Sequence, residues 1–231
     1  MMNMRLVQPA DLIDLNAIAG LDAVHEARDH IEIGALVRHH VVASSPLLRR
    51  ACPLLAEAAQ TIGHYAIRNR GTVGGSLAHA DPAAQFPLVA ATLGAVIVVA
   101  GPRGERHIAA GEFFVSLMST ALEPGEILVA VRFPKAAPGE RHAYLQFSRR
   151  TGDFAIVAVA ATLASNKLTI GLGGVEDKPV VLSDLKSLDP AAVARAAREA
   201  VQPAENPRVP AAFRRELVEV LVKRAVARLI S

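Results

Sequence analysis

Hydrophobic and polar positions alternate with period two at Ile31-Glu32-Ile33-Gly34, which predicts a short strand ending on glycine. Ser44-Ser45-Pro46 then sets an N-cap before a proline at the first helical position. Pro53 restarts the helix, since proline is tolerated at a helix start but costs ~3 kcal/mol inside one. Leu54, Leu55, Ala58, Ala59 and Ile62 follow as an apolar stripe at helical spacing, and Gly63 is the expected stop. Between Tyr65 and Asp81 the periodicity disappears, and Gly, Asn, Ser and Thr predict a loop. A helix is predicted near 83–93 and a strand over 95–100. Gly101-Pro102-Arg103-Gly104 predicts a hairpin turn into a strand around 106–108.

Further strands are predicted at 126–133, 142–147, 156–163 and 167–172. Helices are predicted near 191–200 and 210–229, the second with Phe213, Leu217, Val220, Leu221, Ala225 and Leu229 on one face. The order is helical with a little strand, then a meander of strands, then helices. Pro134 to Gly139 is the expected boundary between two α+β pieces, and a regular βαβ array is not indicated.

Composition narrows the function classes. With 231 residues, 52% hydrophobic and 20% charged, the chain is too apolar for a disordered segment and long enough to bury its own core. Basic and acidic residues nearly cancel, 25 against 22, so no polyanion-binding surface is implied. Aromatics at 4% also make stacking platforms for single-stranded nucleic acid a poor expectation. The single cysteine, Cys52, excludes an intrachain disulfide, a self-contained iron–sulfur cluster and a Cys-based zinc site, and it suits the reducing cytoplasm. The N-terminus lacks the apolar core of a signal peptide. The uncharged run from Pro82 to Pro102 reads as a short helix turning into a buried strand, not a membrane span.

Most chemical motifs fail. His39 and His40 are adjacent, so on a helix they point ~100° apart, and no His-Glu-x-x-His exists. Gly74-Gly75-Ser76-Leu77-Ala78 lacks the second glycine of a nucleophile elbow. Gly171-Leu172-Gly173-Gly174-Val175-Glu176 has Glu at the third glycine position of a dinucleotide fingerprint, and Lys178-Pro179 follow where a helix should run. What survives is Gly71-Thr72-Val73-Gly74-Gly75-Ser76. Tandem glycines let backbone N–H groups line up toward an anion, and the hydroxyls add donors; the plain alternative is a tight turn beneath a helix. Arg149-Arg150-Thr151-Gly152-Asp153-Phe154 is a second candidate, equally readable as a solvated turn.

Taken together, these stretches resemble one family. Ile67-Arg68-Asn69-Arg70-Gly71-Thr72-Val73-Gly74-Gly75-Ser76-Leu77-Ala78-His79-Ala80-Asp81-Pro82-Ala83-Ala84 is similar to the signature of the FAD-binding medium subunit of molybdenum hydroxylases, the group of aerobic carbon monoxide dehydrogenase and xanthine dehydrogenase. Leu122-Glu123-Pro124-Gly125-Glu126-Ile127-Leu128, Ser148 to Ala155, Leu172-Gly173-Gly174-Val175 and Phe213-Arg214-Arg215 match it in order, so the resemblance runs from about residue 4 to the end.

The resemblance implies an α+β fold: an FAD-binding domain of the vanillyl-alcohol oxidase/PCMH type over 1–135, then a smaller α+β C-terminal domain over 136–231. It implies an oxidoreductase subunit that takes electrons from the [2Fe-2S] clusters of a small partner and passes them through FAD to an external acceptor. A large partner would hold the molybdopterin, giving a hetero-oligomer. Thr72, Val73, Gly74, Gly75 and Ser76 would hold the FAD pyrophosphate and ribityl region, with Asp81 in the same stretch. Ile127 or Leu128 would touch the adenine or ring system through the backbone, and Phe154 would lie near the isoalloxazine. No residue is expected to act as a catalytic acid or base.

Two departures stand out. Gln85 occupies a position where the family usually has an Asp bonded to the cofactor; it keeps an acceptor but loses the charge. Met2 to Leu6 also resembles the middle of the family's first subdomain, so a second Gly-Gly-x-Ser phosphate loop is expected upstream, through a misassigned start or a true truncation. The competing expectation is a non-flavin docking subunit of the same complex.

Overall fold

A computed structural model describes residues 2–231. After a 3-10 turn at Met2–Met4 and an irregular segment, β1 (Val24–Glu26) and β2 (His30–Gly34) form a small antiparallel pair. Helices α1 (His39–Ser44), α2 (Pro46–Ala51) and α3 (Pro53–Gln60) follow. The hydroxyl of Ser45 caps α2 by accepting from the Leu48 amide, with Pro46 and Pro53 at first helical positions as the sequence predicts. Next come α4 (Tyr65–Arg68), α5 (Val73–His79) and α6 (Gln85–Thr92).

The hairpin of β3 (Val96–Gly101) and β4 (Gly104–Ala109) turns where its glycines and proline predict, and leads through α7 (Ala110–Phe113) into the short β5 (Phe114–Ser116) and β6 (Ser119–Thr120). β7 (Ile127–Pro134) is followed by β8 (Arg141–Phe147), β9 (Val157–Ala164), β10 (Lys167–Gly173) and β11 (Val180–Leu185). The chain closes with α8 (Pro190–Ala200) and α9 (Ala211–Ile230).

Among the described residues, two larger antiparallel sheets form beside the short β5-β6 pair. One has the order β1-β2-β7-β3-β4, the other β11-β10-β9-β8, and Pro134 to Gly139 lies on the path from the first to the second. Alternation on β2, β3 and β7 sends Ile31, Ile33, Ile97, Val99, Val131 and Phe133 into a core shared with α1, α2, α3, α5 and α6. Their neighbours Glu32 and Arg132 pair on the other face, with Nε to Oε2 at 2.7 Å.

The second sheet is covered on both faces. Along β9, Ala158 and Ala160 join the first core, while Val157, Val159 and Ala161 join a second core with α8 and α9. Small residues on the first face let α6 approach β10 closely.

Two expectations need correction. The stretch from Tyr65 to Asp81 is not a loop, because it contains α4 and α5. On α9 the buried stripe is Val218, Leu221, Val222, Ala225, Val226 and Leu229. Phe213 and Val220 are exposed instead, and Phe213 meets Phe147 edge-on at 6.2 Å. Sequence spacing found the helix but turned its face part of the way round. β1, α1, α7, β5, β6 and β11 are additions that the sequence pattern did not predict.

Candidate functional site

The site is organised around the start of α5. Thr72 has extended backbone and its Oγ1 accepts from the Gly75 amide at 3.1 Å, which makes it a conventional N-cap. Val73 and Leu77 are fully buried and anchor the helix, so its two glycines are carried along by tertiary packing. Gly74 is needed where it is: a Cβ there would stand 2.5 Å from the Cβ of Ala35. Gly75 faces outward, and a Cβ on it would meet only Thr72 Oγ1.

The glycine stretch is therefore not an open nest of free amides. The Val73 amide donates to Val37 O at 3.0 Å, the Gly74 amide to Ala35 O at 2.8 Å, and the Ser76 amide to Thr72 O at 3.0 Å. Gly74 makes room for Ala35, and Gly75 leaves a surface free of side chains, which a ligand can approach at backbone distance.

That surface is one wall of a groove of about 460 Å³, within the ~300–1,000 Å³ of small-molecule and cofactor clefts. Thr72, Gly74, Gly75 and Ala78 line it from α5, and Leu122, Glu126, Ile127 and Leu128 line it from the entry to β7. Ala35, Leu36, Leu15, Asn16 and Arg38 complete it. β2 stops at Gly34 opposite Ala130, and the Ala35 amide donates to Val129 O at 2.9 Å. Ile127 and Leu128 thus pair with Ala100 and Val99 of β3, while their other edge is left without a partner strand, facing the groove.

Charge in the groove comes from two residues. Glu126 is neutralised by Arg106, with Nε to Oε1 at 3.0 Å and NH2 to Oε2 at 2.7 Å. The Arg106 hydrogen bonds, helped by the Glu123 amide, hold the Glu126 carboxyl below the usual carboxylate range. Arg38 donates to Asn16 Oδ1 at 2.8 Å and to the Arg70 carbonyl, and it is the cation at the groove rim. Sequence reasoning missed Arg38, since its partners stand 22 and 32 residues away along the chain and no motif marks it.

Of the predicted residues, Thr72, Gly74, Gly75, Ile127 and Leu128 come together here. Val73 lies in the core beneath the groove, and Ser76 is half-buried on α5. Asp81 closes the turn after α5, its Oδ1 accepting from the Ala83 amide at 2.8 Å. Gln85 is buried, with Nε2 donating to Gln146 Oε1 at 3.2 Å. The same Gln146 oxygen accepts from Thr61 at 3.2 Å and from the Tyr144 hydroxyl at 2.9 Å. Burial pushes the Tyr144 hydroxyl above its ordinary pKa. Phe154 is 59% exposed on the turn between β8 and β9, where Gly152 packs against His64.

Among the described residues, no group of three or more His, Cys, Asp or Glu could hold a metal ion, and no helix is long and apolar enough to cross a membrane. Cys52 is buried, and burial pushes its thiol up to about 12.

Comparison with known proteins gives this geometry a context. The profile described as "FAD binding domain in molybdopterin dehydrogenase" matches residues 1–136, and that described as "CO dehydrogenase flavoprotein C-terminal domain" matches residues 142–229. The 6-hydroxypseudooxynicotine dehydrogenase complex subunit alpha of Paenarthrobacter nicotinovorans is 35% identical over 243 residues, covering 99% of this chain and 82% of that protein. The carbon monoxide dehydrogenase medium chain of Afipia carboxidovorans is 33% identical over 241 residues, covering 98% and 84%. Among solved structures, carbon monoxide dehydrogenase from Hydrogenophaga pseudoflava superposes with a TM-score of 0.92 at 33% identity, covering all of this chain and 85% of that one.

Proposed function

The chain belongs to the FAD-binding medium subunits of the molybdenum hydroxylases, and on that premise we propose that it carries electrons from the [2Fe-2S] clusters of a small partner subunit through FAD to an external acceptor. A large partner holds the molybdopterin in the same proposal. The observation that carries the reading is the groove between α5 and β7, where Thr72, Gly74, Gly75, Ile127 and Leu128 converge in a chain matched to the family along its length. The partition of cofactors agrees with the cysteine count, because a cluster needs four protein ligands and this chain has one cysteine, which is buried.

The residues present fit the cofactor. The α5 wall is bare of side chains at Gly74 and Gly75, so a diphosphate can lie against the backbone, with the Thr72 hydroxyl and the Arg38 guanidinium beside it. The unpaired edge at Ile127 and Leu128 supplies backbone donors and acceptors for the adenine end, between Leu15, Leu36 and Leu122. Bound FAD supplies a carrier that accepts electrons singly and releases them in pairs. Val73 and Ser76 act by shaping α5. Asp81 belongs to the flavin-facing stretch and Phe154 lies near the isoalloxazine, whereas Gln85 acts from inside through Gln146 and Tyr144. Residues 1–135 form the flavin-holding part and 136–231 the smaller C-terminal part.

Titration of the 231-residue chain with FAD, followed by flavin fluorescence, tests the groove. Saturable one-to-one binding that Gly75→Asp weakens supports the reading, and absence of binding overturns it. Co-purification with an iron–sulfur chain and a molybdopterin chain tests the electron route.

A further inference from the structure

Every groove residue on α5 depends on how the chain enters that helix, and the entry is held from α1. The His39 amide donates to Gly71 O at 3.0 Å, the Val73 amide donates to Val37 O at 3.0 Å, and Arg38 forms an isolated bridge with Thr72. The His39 side chain adds a bond of a different kind. Its Nε2 lies 2.9 Å from Thr72 O, and a carbonyl oxygen can only accept, so Nε2 carries the proton. His39 is 7% exposed, and its ring packs edge-on against Phe86 at 4.9 Å between centroids. Gly71 exists to admit it, since a Cβ there would lie 2.6 Å from His39 Cε1 and 2.8 Å from Nδ1.

We propose that His39 is a positioning residue for the flavin groove: by holding the Thr72 carbonyl it fixes the turn from which Thr72, Gly74 and Gly75 face the diphosphate. This rests on the assignment of FAD to that groove. His39 does not line the groove, so its effect on a ligand passes through Thr72. Thr72 is held at three points: its carbonyl accepts from His39 Nε2 and from the Ser76 amide, and its own Oγ1 caps the Gly75 amide. Loss of the imidazole bond leaves that carbonyl on the Ser76 amide alone and loosens the turn that carries the hydroxyl.

The test compares the unaltered chain with His39→Leu, His39→Asn and His39→Gln. Gln reaches about as far as Nε2 and can donate to Thr72 O; Asn is one methylene short, and Leu fills space without donating. FAD affinity should fall about five- to tenfold in the Leu and Asn variants, the size of one neutral hydrogen bond, and stay within about twofold in the Gln variant. Amide hydrogen exchange without ligand should speed up across 72–76 in the Leu and Asn variants and not in Gln. Should the Leu variant fail to fold, the contrast of Asn with Gln decides.

Equal affinity in all four proteins, equal loss in Gln and Asn, or unchanged exchange would overturn the inference while leaving the groove assignment intact. Failure of the unaltered chain to bind FAD would remove the groove assignment, and the inference with it.

Discussion

Two glycine-rich stretches, Gly71 to Gly75 and Gly171 to Gly174, look alike as sequence and do opposite work. In the first, Gly71 and Gly74 yield space to His39 and Ala35, while Gly75 is left facing a groove. In the second, everything is filled. A Cβ on Gly171 would sit 1.9 Å from Thr92 Oγ1, one on Gly173 would press on Leu88 at 3.1 Å, and the Gly174 amide donates to Pro82 O at 2.8 Å. That stretch brings α6 against β10 and joins the two sheets. A glycine pattern thus reports close approach by something; whether a ligand or a helix approaches depends on what lies opposite.

The sharpest way to break the comparison is Gly171→Ala. The Thr92 hydroxyl it would strike is buried and donates to Leu88 O at 2.7 Å, so it cannot swing away freely. We expect a loss of about 2–3 kcal/mol from overpacking, read as a lowered urea midpoint, with FAD affinity of the folded chain unchanged. Thr92→Ala in the same chain should restore part of the loss, because the two sites share the contact. Undiminished stability would mean that the second stretch is not a packing device.

Gly75→Asp should give the mirror result. The position is exposed, but a Cβ there would stand 2.8 Å from Thr72 Oγ1, the cap of α5, so the urea midpoint should fall by less than in Gly171→Ala without staying fixed. A carboxylate beside a bound diphosphate should nevertheless cost tenfold or more in FAD affinity, about 1.4 kcal/mol. Between these extremes lies Gly71→Ala, whose Cβ would meet the His39 ring at 2.6 Å. It should cost about 1 kcal/mol in stability and lower FAD affinity too, and His39→Ala should relieve the stability loss when combined with it. A simple sum of the two single effects would show that the ring and the glycine are not in contact.

The legible parts of the fold were those written in local pattern. Proline and serine fixed the starts of α2 and α3, and glycine and proline marked the turn at 101–104. α5 was not legible, because two glycines each cost ~1 kcal/mol in helix propensity and the compensation comes from Val73 and Leu77 packing beneath. Thr72, Gly74, Gly75, Ile127 and Leu128, which line the groove, sit in short motifs and so stand out as candidates in the sequence. Arg38 and His39 escaped, since what they hold lies some thirty residues downstream, at Arg70 and Thr72. Gln85 stands in a motif, and position in a motif says nothing about which way a side chain turns. Its amide is committed to Gln146, on the strand that joins the second sheet.

The smallest expected effect is a dependence on pH, and it separates the two stretches by chemistry, since a titratable ring packs only against the first. Burial, with a smaller contribution from the charge of the neighbouring Arg38, holds the His39 pKa below its ordinary value of 6.5, against the opposing effect of its bond to Thr72 O. A second proton would go to Nδ1, which is buried without a partner, facing Gly71. The other groups around the ring, Phe86, Gly71 and Thr72, carry no charge. The unfolded chain therefore binds the proton more readily than the folded one, and stability rises with pH through that interval. The contribution is fully present above about pH 6.5 and is lost as pH falls through the lower folded value. Carboxylates such as Glu126, whose pKa is lowered from 4.5, lose their contribution only at more acid pH. Urea midpoints measured from pH 7.5 down to pH 5 should fall for the unaltered chain, and His39→Gln should remove part of that slope. Gly171→Ala should lower the whole curve without changing its shape, and an identical slope in the Gln variant would show that His39 does not titrate with folding.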